Sequence, residues 1–357
     1  MSANHSPMDT QIQTYDLETP EGFKVQILSL GAIITQIMAK DRNQHRKNVV
    51  LRYDNLNDYA SNPFFLGCVV GPVAGRTKDG IIEIPPHQDH QTDEKNILTL
   101  DTSIHPNALH SGEAGLHLVH WNLVYQSADT LVLSHKATLN DAYKTKVTYT
   151  ITYTVSNETL AIDYHATSDH PTYLSLTNHS YFNLTGDPLS TQNSSNDVLI
   201  GKTIQDHQLK LNCSHFTALD EDSLPKALIP LSGSDLDFTT YKRIGEVIAN
   251  GTPTVLATSG VDHPFKRGYS QDVALLLEPE SGRQLKVITT QPYAVIYTGN
   301  FLHGTGHSLH TSFGQYAGIC FETQDLPDVV NNHLDAVHYV TPESPYVHRT
   351  AFDFSIG

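Results

Sequence analysis

The stretch Val147 to Val155 reads VTYTITYTV, an unbroken alternation of large apolar side chains with threonine. Successive side chains of a β-strand point to opposite faces. Val147, Tyr149, Ile151, Tyr153 and Val155 therefore share one face, and Thr148, Thr150, Thr152 and Thr154 the other. After the turn-like Ser156-Asn157-Glu158 the alternation resumes as Leu160, Ile162 and Tyr164 against Ala161, Asp163 and His165. The pair reads as an antiparallel hairpin with one buried face.

Outward from this hairpin the same period recurs. Trp121, Leu123 and Tyr125, followed by Leu131 to Ser134, predict a second pair around Asp129-Thr130. Asp272 to Leu277 and Leu285 to Thr289, joined by the turn Glu280-Ser281-Gly282-Arg283, predict a third. Helical periodicity is confined to Tyr241–Ala249, with Ile244, Val247 and Ile248 on one side. No fixed-length repeat and no Pro/Gly/Ser-rich linker divides the chain. The polar stretch from Asp187 to Asp197 reads as a long surface loop, and residues 1–9 as a short N-terminal extension. The expected fold is all-β: one large antiparallel β-sandwich domain over residues 10–357.

The bulk composition narrows the function. The chain has 357 residues, 39% of them hydrophobic, enough for two modest domains or one large β-domain. Lys and Arg number 22 against 38 Asp and Glu, a formal net charge of -16. Such a surface repels phosphate backbones, so nucleic acid and anionic membrane are poor partners and a neutral substrate suits the charge. Cys68, Cys213 and Cys320 are odd in number and widely spaced, which suggests neither a disulfide framework nor a cysteine zinc site and fits a reducing cytoplasm. No basic start precedes an apolar run at the N-terminus, and the apolar stretches Ile27 to Ala39 and Phe64 to Gly75 are too short to span a bilayer. A soluble, cytoplasmic protein is expected.

Three segments place polar groups where strands are ordinarily apolar: Thr177 to Leu184 (TNHSYFNL), Gly318 to Asp325 (GICFETQD) and Leu109 to Glu113 (LHSGE). Breaks of this kind mark functional sites. Any one of 21 histidines is ordinarily structural, and a lone strand glutamate ordinarily faces solvent. Held at one reacting centre, however, His179 and Glu322 make a general acid–base pair, each proton transfer contributing roughly 10²–10⁴-fold. His110 precedes a turn that presents its side chain at a loop tip. Asp262, ordinarily a turn former, is also suited to accept hydrogen bonds from sugar hydroxyls. Arg76, after a Gly-containing loop, can offer a planar fork to vicinal hydroxyls. His105, His110, His117 and His120 contain HxxH but no HExxH, so no metal is expected.

In collinear order these segments resemble the aldose 1-epimerase (galactose mutarotase) family. The resemblance rests on Ala74-Gly75-Arg76, Leu109-His110-Ser111-Gly112, the LTNHSYFNLTG of Leu176 to Gly186, and Val261-Asp262-His263. It continues through Ser281-Gly282-Arg283, the TTQPYAVIYTGNFL of Thr289 to Leu302, and Phe321-Glu322-Thr323-Gln324 with Pro327-Asp328. It implies a cofactor-free β-supersandwich that opens and recloses a free sugar. Glu322 would take the anomeric hydroxyl proton and His179 would protonate the ring oxygen, helped by His110. Arg76, Asp262 and Gln291 would bind the sugar. A carboxylate kept ionised and an imidazole kept protonated suit these roles, and their proximity is expected to favour those states. The partner implied is a small-molecule sugar, with the protein a monomer or homodimer.

Two positions depart from the family pattern. Gly75 stands where asparagine is common, and Ser111 interrupts a glycine pair. The first suggests extra room, enough for the reducing end of a disaccharide such as maltose. The alternatives are a maltose epimerase, a hexose-6-phosphate epimerase, which would want several convergent cations, a non-catalytic sugar-binding protein lacking one of the pair, and a metal-dependent hydrolase.

Overall fold

A computed structural model describes residues 11–85, 95–103, 105–187, 202–302 and 313–357. The N-terminal extension and nearly all of the expected loop after Asp187 lie outside the described residues. The alternating stretch is a strand, Lys146–Ser156, and Val147, Tyr149, Ile151, Tyr153 and Val155 are each at most 2% exposed. It pairs antiparallel with Thr159–Ser168, closing between Ser156 and Thr159.

The two other expected hairpins form as well. Asp272–Leu277 pairs with Arg283–Thr289, and Asn122–Gln126 with Thr130–Thr138. The second departs from its expectation in burial. Trp121 is buried, yet Leu123 and Tyr125 are 49% and 54% exposed. Asn122–Gln126 is the edge strand of its sheet, and a bulge between Leu123 and Tyr125 breaks the alternation. The expected helix is shorter at its start: Lys242–Arg243 joins a sheet edge and only Ile244–Ala249 is helical, burying Ile244 and Val247.

These hairpins merge into a nine-stranded antiparallel sheet in which Thr159–Ser168, Tyr346–Ile356 and Arg283–Thr289 are central. A six-stranded antiparallel sheet runs in the order Tyr181–Phe182, Ile319–Gln324, Tyr293–Tyr297, Asp262–Arg267, Cys213–Leu219, Pro225–Pro230. A four-stranded sheet is built from the segment Thr14 to Asn48. One contiguous core of buried side chains, from Leu17 to Phe354, lies among them. No helix among the described residues is long and apolar enough to cross a membrane.

The Ser281-Gly282-Arg283 motif belongs to this framework rather than to a site. Arg283, 1% exposed, donates to the carbonyls of Ala39, His45, Leu184 and Thr185 and lies 3.8 Å from Asp41. A buried guanidinium is tolerable only with its donors satisfied. It ties the nine-stranded sheet to the four-stranded one and to the Leu184-Thr185 turn.

Candidate active site

Strand register builds the floor of the site. In the six-stranded sheet Asp262 pairs with Tyr297 and Tyr297 with Cys320, while Pro264 pairs with Val295 and Val295 with Glu322. Residues two apart on one strand share a face. One face of this sheet therefore carries Asp262, Pro264, Val295, Tyr297, Cys320 and Glu322 together. The intervening Ile296, Ile319 and Phe321 turn the other way into the core.

The opposite wall comes from short strands and turns. His179 lies between the two-residue strands Thr177–Asn178 and Tyr181–Phe182. Its N–H donates to the Cys68 carbonyl at 2.9 Å, and its carbonyl accepts from Gly67 at 3.0 Å. Asn178 serves this turn, donating to Gly67 O and accepting from Ser180 N–H. Asn183 likewise bonds the Lys202 and Ala317 carbonyls. Within NHSYFN, only His179 and Tyr181 line the cavity.

The result is a cavity of about 330 Å³ bringing together His110, His179, Glu322, Arg76 and Asp262, with Phe65, Tyr297 and Pro327 among the walls. This size falls at the lower end of the range for small-molecule sites. The Glu322 carboxylate faces two imidazoles: Oε1 is 3.6 Å from His179 Nε2, and Oε2 is 3.8 Å from His110 Nε2. All three residues are no more than 5% exposed.

The two histidines are held differently. His110 Nδ1 accepts the Gly75 N–H at 3.1 Å. Neutral His110 must therefore carry its proton on Nε2, aimed into the cavity as a standing donor. His179 Nδ1 instead lies 3.5 Å from Cys320 Sγ, a contact in which either atom can be the donor. His179 Nε2, 3.6 Å from Glu322 Oε1, is the ring nitrogen that faces the carboxylate.

Burial sets the charge states, and it overturns one expectation. Desolvation, reinforced by the charge of Asp262, raises the Glu322 carboxyl well above the usual carboxylate range. Desolvation lowers His179 to about 4 and His110 well below its ordinary value. Proximity was expected to keep Glu322 ionised and His179 protonated. Burial strips hydration from both groups and acts against both charges. Asp262 is raised to about 6 by burial, opposed by Arg76.

Other expected residues divide. Arg76 lines the cavity and has no hydrogen-bond or ion-pair partner for its side chain among the described residues. Gln291 is not among the residues lining the cavity: it is fully buried, donating to Tyr346 Oη at 2.6 Å, and Gly75 departs from its expectation too. Gly75 adopts φ +79°, and a Cβ there would lie 2.8 Å from Pro327 Cγ and 3.0 Å from Gln324 Nε2. The space an asparagine would use is already filled, so extra room does not follow. Ser111, also left-handed at φ +68°, accepts from Val73 N–H and donates to Val73 O, clamping the neighbouring loop.

The histidine cluster read from sequence does not assemble. His120 is exposed and His105 bonds Asn107. Of the four, only His110 joins a set of metal-ligand type, with His179 and Glu322, whose ligand atoms lie within 4.8 Å of one another. Two histidines and a glutamate also make a zinc donor set, so chelation is a discriminating test. Phe65, Tyr297 and Cys320 were not singled out from sequence. Tyr297 and Cys320 lay inside quoted motifs, and the pairing register of their strands is the signal that places them.

Comparison with known proteins agrees with the fold. A family model described as aldose 1-epimerase matches residues 13–353. Galactose mutarotase of Mus musculus is 30% identical over 97% of this chain and 95% of its own length. Maltose epimerase of Levilactobacillus brevis is 26% identical over 96% of this chain and 95% of its own. The structure of an aldose epimerase homologue from C. elegans superimposes with a TM-score of 0.80 at 22% identity, covering 97% of this chain and 99% of that one. With this match running nearly end to end, the chain belongs to the aldose 1-epimerase family and is an isomerase.

Proposed function

We propose that the protein interconverts the α and β anomers of a free, uncharged aldohexose such as glucose or galactose, with Glu322 as base and His179 as acid. The observation that carries this reading is one buried carboxylate facing two imidazoles, of which His110 has its Nδ1 tied to the Gly75 N–H. Glu322 takes the proton of the anomeric hydroxyl and His179 Nε2 gives one to the ring oxygen. The bond from C1 to the ring oxygen breaks as the C1 carbonyl forms. Rotation about C1–C2 and closure on the other carbonyl face, with both proton transfers reversed, gives the second anomer. His110, whose Nε2–H is fixed, steadies the ring oxygen without exchanging its proton. Arg76 and Asp262 hold hydroxyls.

Proton bookkeeping makes sense of the burial effect. Ionised Glu322 with protonated His179 holds the same number of protons as neutral Glu322 with neutral His179. The first arrangement accompanies the closed ring and the second the open aldehyde. Burial favours the uncharged pair, while hydroxyls entering the cavity replace lost hydration and favour the charged one. The two arrangements are thereby drawn together in energy, which is what reversible proton transfer needs.

Arg76 is the one cationic side chain lining the cavity among the described residues. A phosphate ester would want convergent cations, so a neutral sugar fits better. Polarimetry on freshly dissolved α-glucose and α-galactose tests the reading. Rotation should relax faster than the spontaneous rate on at least one of them. Spontaneous rates on both would end it.

A further inference from the structure

We propose that Phe65 is a positioning residue for the acid–base group, the shared spacer that sets the His110 and His179 rings so that both reach Glu322. The proposal rests on the catalytic reading above. Three imidazoles pack on this one ring: His110 at 4.8 Å between centroids, His117 at 4.7 Å and His179 at 5.8 Å. His110 and His179 themselves stand 5.4 Å apart at 87°. Phe65 fills the angle between them. The edge-on contacts to His110 and His117, at 65° and 62°, are the arrangement that aromatic quadrupoles favour.

The backbone holds Phe65 in place at some expense. Its φ is +55°, a left-handed value that is an outlier for a bulky side chain and that costs of order 1–3 kcal/mol. Neighbouring contacts over-determine it. Phe65 N–H donates to Asn62 O, while Asn62, 1% exposed, bonds both the N–H and the carbonyl of Leu66. Cys68 N–H and Sγ both donate to Phe65 O. Tyr181 Oη donates to Phe64 O, and Gly67 N–H donates to His179 O. The loop carrying Phe65 is thus fastened to the segment carrying His179. A rearrangement of one moves the other.

An apolar ring here also keeps water away from His110, His117 and His179, whose neutral forms are favoured by burial. Without it, both catalytic-site imidazoles gain hydration and rotational freedom. The other charged or titratable groups around the cavity are Glu322, Asp262, Arg76, Tyr181 and Tyr297, which the substitution leaves unchanged.

The test compares Phe65→Ala and Phe65→Leu with wild type by polarimetry and by 15N NMR of the histidine rings. For Phe65→Ala the expected result is a kcat loss of roughly 10²-fold, the scale of a misplacement near 1 Å, with KM little changed. Its His179 and His110 titrations should move up toward the ordinary value of about 6.5. Phe65→Leu keeps the bulk without the ring; it should keep the low titrations yet still lose turnover. It also carries the test should Phe65→Ala not fold. Wild-type kcat and titrations in the variants overturn the proposal, and so does an effect confined to KM, which would make Phe65 a sugar contact only. An inactive wild-type protein would instead defeat the catalytic reading, while the NMR titrations would still report on Phe65.

Discussion

Replacing Glu322 by glutamine removes one proton acceptor while preserving the shape of the cavity floor. The side chain stands 3.6 Å from His179 Nε2 and 3.8 Å from His110 Nε2, with the Asp262 charge adding to the cost of ionising it. The amide cannot take the anomeric proton, and it withdraws the negative charge that makes a protonated His179 affordable. Loss of a positioned general base alone is worth roughly 10²–10⁴ in rate. Adding the weakened acid places kcat down about 10³–10⁴-fold, or about 4–5.5 kcal/mol of barrier. Stability should move the other way. A buried ionisable group with raised pKa is gone, along with its repulsion from Asp262, so the melting temperature stays level or rises. Polarimetry corrected for spontaneous rotation, with thermal melts on the same samples, gives both readouts. A variant keeping more than roughly a tenth of wild-type kcat refutes the base assignment. A fall in melting temperature that tracks the activity loss assigns Glu322 to the fold instead.

His179→Asn should lose turnover on the scale of the glutamate variant, whereas His110→Asn, removing a donor that exchanges no proton, should lose less; the reverse order in polarimetry contradicts the tautomer argument. The acid limb of kcat/KM should fall near pH 4, where a second proton reaches the pair, because burial holds His179 at about 4; a limb at histidine's ordinary value of about 6.5 would show the site to be hydrated. Stability should fall as pH drops from about 6.5 toward 4, since the unfolded chain then binds protons that His117, His179, His207, His263 and His348, each lowered to about 4 by burial, refuse in the folded state. Asp262 and Asp325, raised to about 6, and Glu322, raised well above its usual range, act in the opposite sense but are outnumbered by the five imidazoles, so a flat melting profile from about pH 6.5 to 4 opposes the assignment. Dialysis against a chelator should leave turnover unchanged; a loss restored by zinc would turn His110, His179 and Glu322 into ligands. Ser111→Gly should destabilise by about 1–2 kcal/mol in denaturant melts, since the Val73 N–H and carbonyl both lose their partner while left-handed strain is relieved.

The framework was legible because alternation is a local property. VTYTITYTV states its own buried face, and a single sheet neighbour suffices to realise it. The motifs marked His110, His179, Glu322, Arg76 and Asp262 correctly as neighbours in space. What stayed hidden depends on register and depth. That Asp262, Val295 and Glu322 share one face follows from how strands distant in sequence align. Gln291 sits in a motif yet points behind the lining toward Tyr346, a matter of one layer that no spacing reveals. Gly75 suggested a void because glycine lacks a side chain, but the vacancy was taken by Pro327 from another segment. The protonation states failed for a related reason. Proximity can be guessed from motifs, whereas desolvation is a property of the whole enclosure.

Left-handed backbone gathers around the cavity, and the sandwich explains how it is tolerated. Phe65, His110, Ser111, Ser223 and Asp328 all have positive φ without being glycine, and each lines the cavity or adjoins a residue that does. Each such residue is disfavoured on its own, and the side-chain bonds that fix several of them come from neighbouring loops: Asn62 for the Phe65 loop, Ser111 for Val73, Asp328 for Lys78 N–H. The strands beneath supply an antiparallel scaffold. The alternating strands of the nine-stranded sheet therefore carry stability apart from the chemistry, which sits on the six-stranded sheet and the loops beside it. A substitution in the alternating strands should lower the melting point without altering the pH profile. One in the strained loops should lower the melting point and alter the pH profile together. Tyr153 bonds Ala32 O from the core and Ser111 bonds Val73 beside the cavity, so Tyr153→Phe and Ser111→Gly measured side by side put that separation to the test.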